Sequence, residues 1–168
     1  MTAAENHPAL RLLAALLGAP SPSGWEDALA ALVRARLSAL GYAPETDGAG
    51  NVLVRLAGTQ PGAPLVCYAA HMDEIGMTVH SIEPDGALRV ERLGGLFPWK
   101  LGESPVQVLG DVTPVVGILS MGAGHGSAGE RALQWGDVRV ITGRTPDQLA
   151  KQISRLLGTE PRVVSHLG

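Results

Sequence analysis

The chain has 168 residues, of which 45% are apolar and 17% are charged, and its formal net charge is -3. This composition excludes a disordered chain, and the few, scattered cationic residues exclude the basic surface that nucleic-acid-binding proteins need. Because no apolar run reaches the roughly 20 residues of a membrane span and the N-terminal stretch lacks the basic residues of a signal peptide, we expect a cytoplasmic protein without a membrane partner.

Two helices are predicted at the start of the chain. Residues 8–17 have a helical apolar pattern, which ends at a Gly-Ala-Pro sequence. Ser23 and Glu26 have the S-x-x-E spacing of a capping box, so a second helix is predicted from there to residue 40, with Gly41 as its stop. One face of this helix is apolar, and we expect that face to pack in the core. It carries Trp25, Leu29, Leu32, Val33, Leu37 and Leu40.

Two strands are predicted to follow these helices. The first is residues 51–56, with the sequence NVLVRL. The second is residues 65–70, with the sequence LVCYAA, a nearly continuous apolar run of the kind that is buried on both faces of a parallel or mixed sheet. Cys67 lies inside this run, and we interpret it as a packed apolar residue and not as a reactive thiol. As the single cysteine, it excludes an internal disulfide and a multi-thiolate zinc site.

Beyond residue 75 the chain changes to short apolar segments that are separated by Gly, Pro and Asp. This spacing favours a small β-barrel or sandwich. The apolar segments are residues 77–82, 87–92, 106–109, 115–119 and 138–141. Thr145 and Pro146 then begin a predicted helix that runs to residue 157, and a last strand is predicted at 162–165.

The segment AHMDEIG, residues 70–76, carries the candidate site. Ligands of open α/β sheets bind beyond the carboxyl ends of strands, and residues two apart project to the same side of an extended backbone. A neutral imidazole binds zinc or cobalt well, and its second nitrogen usually donates to a carboxylate. His71 is therefore the candidate metal ligand and Asp73 the candidate site carboxylate that orients it. On the spacing alone, a loop histidine beside a turn aspartate is the favoured interpretation.

The whole segment AHMDEIG resembles the metal-ligand segment of the M42 family of metallopeptidases. These are cytoplasmic glutamyl and deblocking aminopeptidases, which often assemble into large tetrahedral particles. Five further segments carry the resemblance in the expected order: SPSGWEDALAALVRARLSALG, GNVLVRLAG, the pair GG at 94–95, GILSMGAGH and WGDVRVITGRTPDQLAKQ. The resemblance implies that His71 binds one of two divalent metal ions, zinc or cobalt, and that Asp73 supports this histidine in the catalytic site. It gives no role to Glu74.

The resemblance also implies the fold and the domain organisation. The expected fold is α/β, part of a zinc-peptidase-like catalytic domain with an inserted small β-barrel domain. Residues 1–75 are expected to form the N-terminal part of the catalytic domain. Residues 76–160 are expected to form the inserted domain, which serves oligomerisation and access, and residues 161–168 to begin the return to the catalytic domain.

The activity that the resemblance implies is metal-dependent hydrolysis of N-terminal residues from peptides by a homo-oligomer. The family's other metal ligands are not found in this sequence, so we expect the chain alone to be inactive. The four remaining histidines are interpreted as structural or solvated. They are His7, His80, His125 and His166.

Two other functions remain open. One is a non-catalytic interaction module derived from the family, in which the β-rich domain makes subunit contacts. Phe97 and Trp99, in a Gly/Pro-rich loop, are aromatic residues of the kind that anchor interfaces, although a role in filling the core of the small barrel is at least equally favoured. The other is a glycan hydrolase, which needs two carboxylates on either side of a glycosidic oxygen. Asp73 and Glu74 are adjacent and point to opposite sides of an extended segment, so this function is the least favoured.

Overall fold

The computed structural model describes residues 7–110, 113–122, 132–152 and 162–166, the last range for its backbone alone. The chain divides into two compact units, Met1–Asp73 and Glu74–Gly168. The assignment of residues 1–75 to a catalytic domain and of residues 76–160 to an inserted domain stays a prediction. Within the described ranges no helix is long and apolar enough to cross a membrane.

The first unit contains two helices, α1 (Pro8–Leu17) and α2 (Asp27–Ala39), and a short antiparallel pair, β1 (Glu45–Thr46) and β2 (Val52–Leu53). Nδ1 of His7 caps α1 by accepting a hydrogen bond from the backbone N–H of residue 9 at 3.3 Å, so this histidine has a structural role.

The predicted capping box of α2 is wrong. The helix begins at Asp27, and the residue that precedes it, Glu26, makes no capping hydrogen bond with its side chain. Of the predicted core face, only Leu29 is buried, whereas Leu40 is 72% exposed and the others are partly buried. An apolar helix face is buried only where other elements cover it, and the described residues of this unit offer only a second helix and a two-residue strand pair.

The two strands predicted between residues 51 and 70 are largely absent. Residues 51–56 form a strand only at Val52–Leu53, and residues 65–70 contain neither helix nor strand. Leu65 is 92% exposed, Tyr68 is 95% exposed, and Cys67, which we predicted to be packed, is exposed. A strand forms where neighbours take up its backbone hydrogen bonds, and within the described part of the chain no strand pairs with this segment.

The second unit is a closed six-stranded barrel in which every neighbouring pair is antiparallel, in the order β3-β4-β7-β6-β5-β8. This result confirms the predicted β-barrel. Its strands are β3 (Gly76–Ile82), β4 (Leu88–Leu93), β5 (Pro105–Val108), β6 (Val115–Ser120), β7 (Arg139–Ile141) and β8 (Arg162–His166). Strand β8 completes the barrel by pairing with β3 and β5. The assignment of residues 161–168 to the return to the first domain stays a prediction.

Apolar side chains fill the barrel because residues alternate between its inside and its outside along each strand. In β6, for example, Val115 and Leu119 are buried, whereas Val116 and Ile118 are about half exposed. A third helix, α3 (Pro146–Gln152), adds the fully buried Leu149 to this core. The predicted extension of α3 to residue 157 lies outside the described residues.

Candidate functional site

The candidate residues lie at the end of the first unit, in an irregular segment that follows residues 65–70. The structure brings His71 and Asp73 together as their spacing predicts. Nδ1 of His71 lies 3.1 Å from the Asp73 carboxylate oxygen Oδ1 and 3.0 Å from the Asp73 backbone carbonyl oxygen. Both oxygens only accept hydrogen bonds, so Nδ1 carries a hydrogen, and in the neutral ring the lone pair is on Nε2. The His71 side chain is 86% exposed, which leaves Nε2 accessible to a ligand.

A third residue, Ser23, completes the arrangement. Its hydroxyl donates a hydrogen bond of 2.6 Å to the other carboxylate oxygen of Asp73, Oδ2. The carboxylate therefore binds Ser23 through one oxygen and His71 through the other. Sequence reasoning missed this role, because it assigned the Ser23 hydroxyl to the N-terminus of α2. The signal that favoured another role is the adjacent Gly24, since a Ser-Gly pair is typical of a turn.

The electrostatics of the site keep Asp73 ionised. The hydrogen bond from Ser23 is the largest cause that lowers the pKa of Asp73 below its usual value, partial desolvation opposes it, and His71 lowers the pKa further. An ionised carboxylate on Nδ1–H makes the imidazole a better electron donor at Nε2. The two contacts at Nδ1 thus orient the imidazole and leave Nε2 exposed.

These residues fit one position of a metal site. A histidine that binds a metal through one nitrogen usually donates its other N–H to a carboxylate or a carbonyl, and His71 has both acceptors at Nδ1. Zinc sites take three or four protein ligands, whereas the described residues contain no cluster of three or more His, Cys, Asp or Glu side chains that could hold a metal ion. His71 is therefore the one ligand that this geometry supports.

The other histidines were predicted to be structural or solvated. His80 lies on β3 of the second unit, where its Nδ1 is 3.5 Å from the carboxylate of Glu91 on the neighbouring strand. Both side chains are more than half exposed, so this is a surface pair. The side chains of His125 and His166 lie outside the described residues.

Comparison of the sequence with known families finds a match to the model of the M42 glutamyl aminopeptidases over residues 50–154. The glutamyl aminopeptidase of Lactococcus lactis is 44% identical over 84 residues, which are 50% of this chain and 24% of that protein. The matched residues thus span about a quarter of the length of this curated relative.

Two solved structures share the fold. An aminopeptidase from the archaeon Desulfurococcus kamchatkensis matches with a TM-score of 0.79 and 26% identity, over 93% of this chain and 42% of that one. The TET1 peptidase of Pyrococcus horikoshii, described as able to assemble into a tetrahedron or a large octahedral shell, matches with a TM-score of 0.75 and 22% identity, over 94% and 46%. At the lower identity the likeness shows the fold alone. Together the two structures confirm the predicted fold class.

Proposed function

We propose, from the premise that the chain belongs to the M42 glutamyl aminopeptidase family, that it is part of a metal-dependent aminopeptidase that removes N-terminal residues from peptides. The observation that carries this proposal is the His71–Asp73 pair, in which a carboxylate and a carbonyl hold Nδ1 and leave Nε2 free. We expect a cytoplasmic location and peptide substrates, as the family resemblance implies.

In this proposal His71 supplies one ligand, through Nε2, to one of two divalent metal ions, zinc or cobalt. When bound, the ions lower the pKa of a water molecule and polarise the scissile carbonyl group. Asp73 keeps the proton on Nδ1 of His71 and fixes the plane of the ring, and so acts through the histidine. We find no counterparts of the family's remaining metal ligands and general base in this sequence, and we therefore expect this chain alone to be inactive.

The alternative function, a non-catalytic interaction module, is less favoured. A module that only binds other subunits gains nothing from an exposed histidine whose inner nitrogen is held by a carboxylate. Such an arrangement reduces the side-chain freedom of three residues, Ser23, His71 and Asp73, at a position that is not buried. A site that is arranged in advance for a ligand accounts for it.

A metal titration tests the proposed function. A large excess of Zn²⁺ is expected to shift the imidazole NMR signals of His71 and the backbone amide signals of its neighbours, because His71 is the one ligand that the described residues supply. In His71→Ala the amide shifts are expected to disappear. His80→Ala is the matched control, because His80 is also an exposed histidine beside a carboxylate. A Zn²⁺ response that is unchanged in His71→Ala, or no response at His71 in the unaltered chain, contradicts the proposal.

We also propose that the second unit makes contacts between copies of this chain. Phe97 and Trp99 stack with ring centroids 4.9 Å apart and are 38% and 63% exposed, with Lys100 Nζ 5.6 Å from the Phe97 ring centroid. Between them Pro98 is buried, which holds the aromatic pair at the surface. Exposed, rigid aromatic residues are typical of the residues that contribute most to interface affinity.

Trp99→Ala is expected to weaken this self-association by about tenfold or more, because a central aromatic residue of an interface contributes about 2 kcal/mol or more. Sedimentation equilibrium over a range of chain concentrations measures the change. Val116→Ala, at a 56% exposed apolar residue on β6 of the same barrel, is the matched control. Equal association of the two variants, or a chain that stays monomeric, would contradict this role for Trp99.

A further inference from the structure

The Ser23 hydroxyl lies on a turn whose backbone is firmly held. The N–H of Trp25 donates to the carbonyl of Pro22 at 2.8 Å, and Gly24 has a φ of +87°, a conformation that favours glycine. The Glu26 carboxylate accepts a hydrogen bond of 2.7 Å from the backbone N–H of Gly24, which adds a second contact that stabilises the turn. These backbone contacts therefore hold the Cα atom of Ser23 in place independently of the contacts of its side chain.

The turn also explains why the predicted capping box does not form. In a capping box the serine oxygen accepts from a helix N–H and the glutamate returns to the serine N–H. Here Glu26 binds Gly24 instead, and the Ser23 hydroxyl donates to Asp73, a residue 50 positions away in the sequence. A hydroxyl bound to an ionised carboxylate makes a shorter and stronger hydrogen bond than one bound to a neutral group, consistent with the 2.6 Å distance.

We propose that Ser23 is a positioning residue for the metal ligand. Its hydroxyl holds Oδ2 of Asp73, which keeps Oδ1 against Nδ1 of His71 and so keeps Nε2 aimed at the metal ion. Without the hydroxyl, the Asp73 carboxylate loses the partner of Oδ2 and rotates more easily, so its contact with Nδ1 of His71 weakens, whereas the backbone carbonyl at 3.0 Å still holds the imidazole. This inference rests on the proposed function, because it assumes that His71 binds a metal ion.

The experiment is a double-mutant cycle in the full 168-residue chain. The unaltered chain, the two single variants and the double variant are compared, with Zn²⁺ alone as the probe and the His71 imidazole NMR signals as the readout. Ser23→Ala is expected to weaken Zn²⁺ binding at His71 by about threefold or more, somewhat less than the loss of a direct partner of a ligand. In an Asp73→Ala background the same change is expected to have no further effect. Ser23→Thr keeps the hydroxyl and is expected to stay within about twofold of the unaltered chain.

A purely structural role for Ser23 gives a different pattern. If the hydroxyl only joins two loops, Ser23→Ala weakens binding equally with and without the Asp73 carboxylate, or leaves binding unchanged, and either result overturns the proposal. Ser38→Ala, at an exposed serine on α2, is the matched control, and thermal unfolding of each variant checks that the fold is retained.

The failure of the proposed function would be visible separately. If Zn²⁺ leaves the His71 signals of the unaltered chain unchanged, His71 is not a metal ligand and the proposed function fails. Relaxation of the imidazole signals in the metal-free chain then decides the positioning role. The positioning role is supported if the His71 ring becomes more mobile in Ser23→Ala and if adding Asp73→Ala causes no further increase in mobility. Unchanged mobility in Ser23→Ala overturns this role.

Discussion

Leu119→Ala is expected to destabilise the barrel by about 2–5 kcal/mol, the usual cost of removing a buried leucine side chain. Leu119 lies on β6, is 0% exposed and belongs to the core cluster that fills the barrel. Its backbone pairs with Val140 on β7, and its N–H donates to the Ser104 carbonyl at 2.9 Å. The backbone therefore has little freedom to move into the cavity that the substitution would leave. For a unit of roughly this size, the melting temperature should fall by about 10 °C or more.

Ile118→Ala is the matched control for this prediction. Ile118 precedes Leu119 on the same strand, points to the outside of the barrel and is 48% exposed. Its truncation leaves no enclosed cavity, so we expect a loss below about 1.5 kcal/mol. Thermal and urea unfolding followed by circular dichroism measure both variants. Losses of similar size at the two positions would contradict the placement of Leu119 inside the barrel and Ile118 outside it.

The barrel could be predicted from the sequence because its strands carry their own pattern and find their partners nearby. Strands β3 and β4 are joined by a short turn, and β5 is paired with the next strand, β6. In β3, β4 and β5, apolar residues alternate with polar ones over most of the strand, so the local sequence already identifies the buried side. Hairpins of this kind need no information from distant parts of the chain.

The first unit was less predictable, for the same physical reason. The apolar run at 65–70 has the composition of a buried strand, yet Leu65 and Tyr68 are almost fully exposed, because no strand within the described residues pairs with it. An apolar sequence indicates that a segment is suited to burial, but the segment is buried only where neighbouring elements cover it. Cys67 follows its segment and is exposed.

The candidate site shows the same limit within a few residues. His71 and Asp73 could be paired from the sequence because they are two positions apart, and their contact needs only a local conformation. Ser23 could not be added, because it lies 50 positions from Asp73, and its own neighbourhood offered a plausible local partner in the predicted capping box. At Ser23 the hydrogen bond to the distant Asp73 replaces the predicted local motif.

Gly86→Ala is the second change with a large expected effect, about 2–4 kcal/mol. Gly86 lies in the turn between β3 and β4, where its N–H donates to the Glu83 carbonyl at 2.9 Å and its φ is +84°. Two costs therefore add. The left-handed backbone conformation is unfavourable for alanine. In addition, the alanine Cβ would overlap the backbone carbonyl oxygen of Arg144, which cannot move away as a flexible side chain can.

Gly143→Ala separates these two costs, because Gly143 lies in the same unit with a φ of +68° and has no atom within 4 Å of the position that a Cβ would take. It should lose only the backbone contribution, about 1 kcal/mol. The difference between the two variants in thermal unfolding then measures the overlap with Arg144. Should Gly86→Ala cost no more than Gly143→Ala, the turn would have to relax away from Arg144, and the close approach of these two segments would contribute nothing to the stability of the barrel.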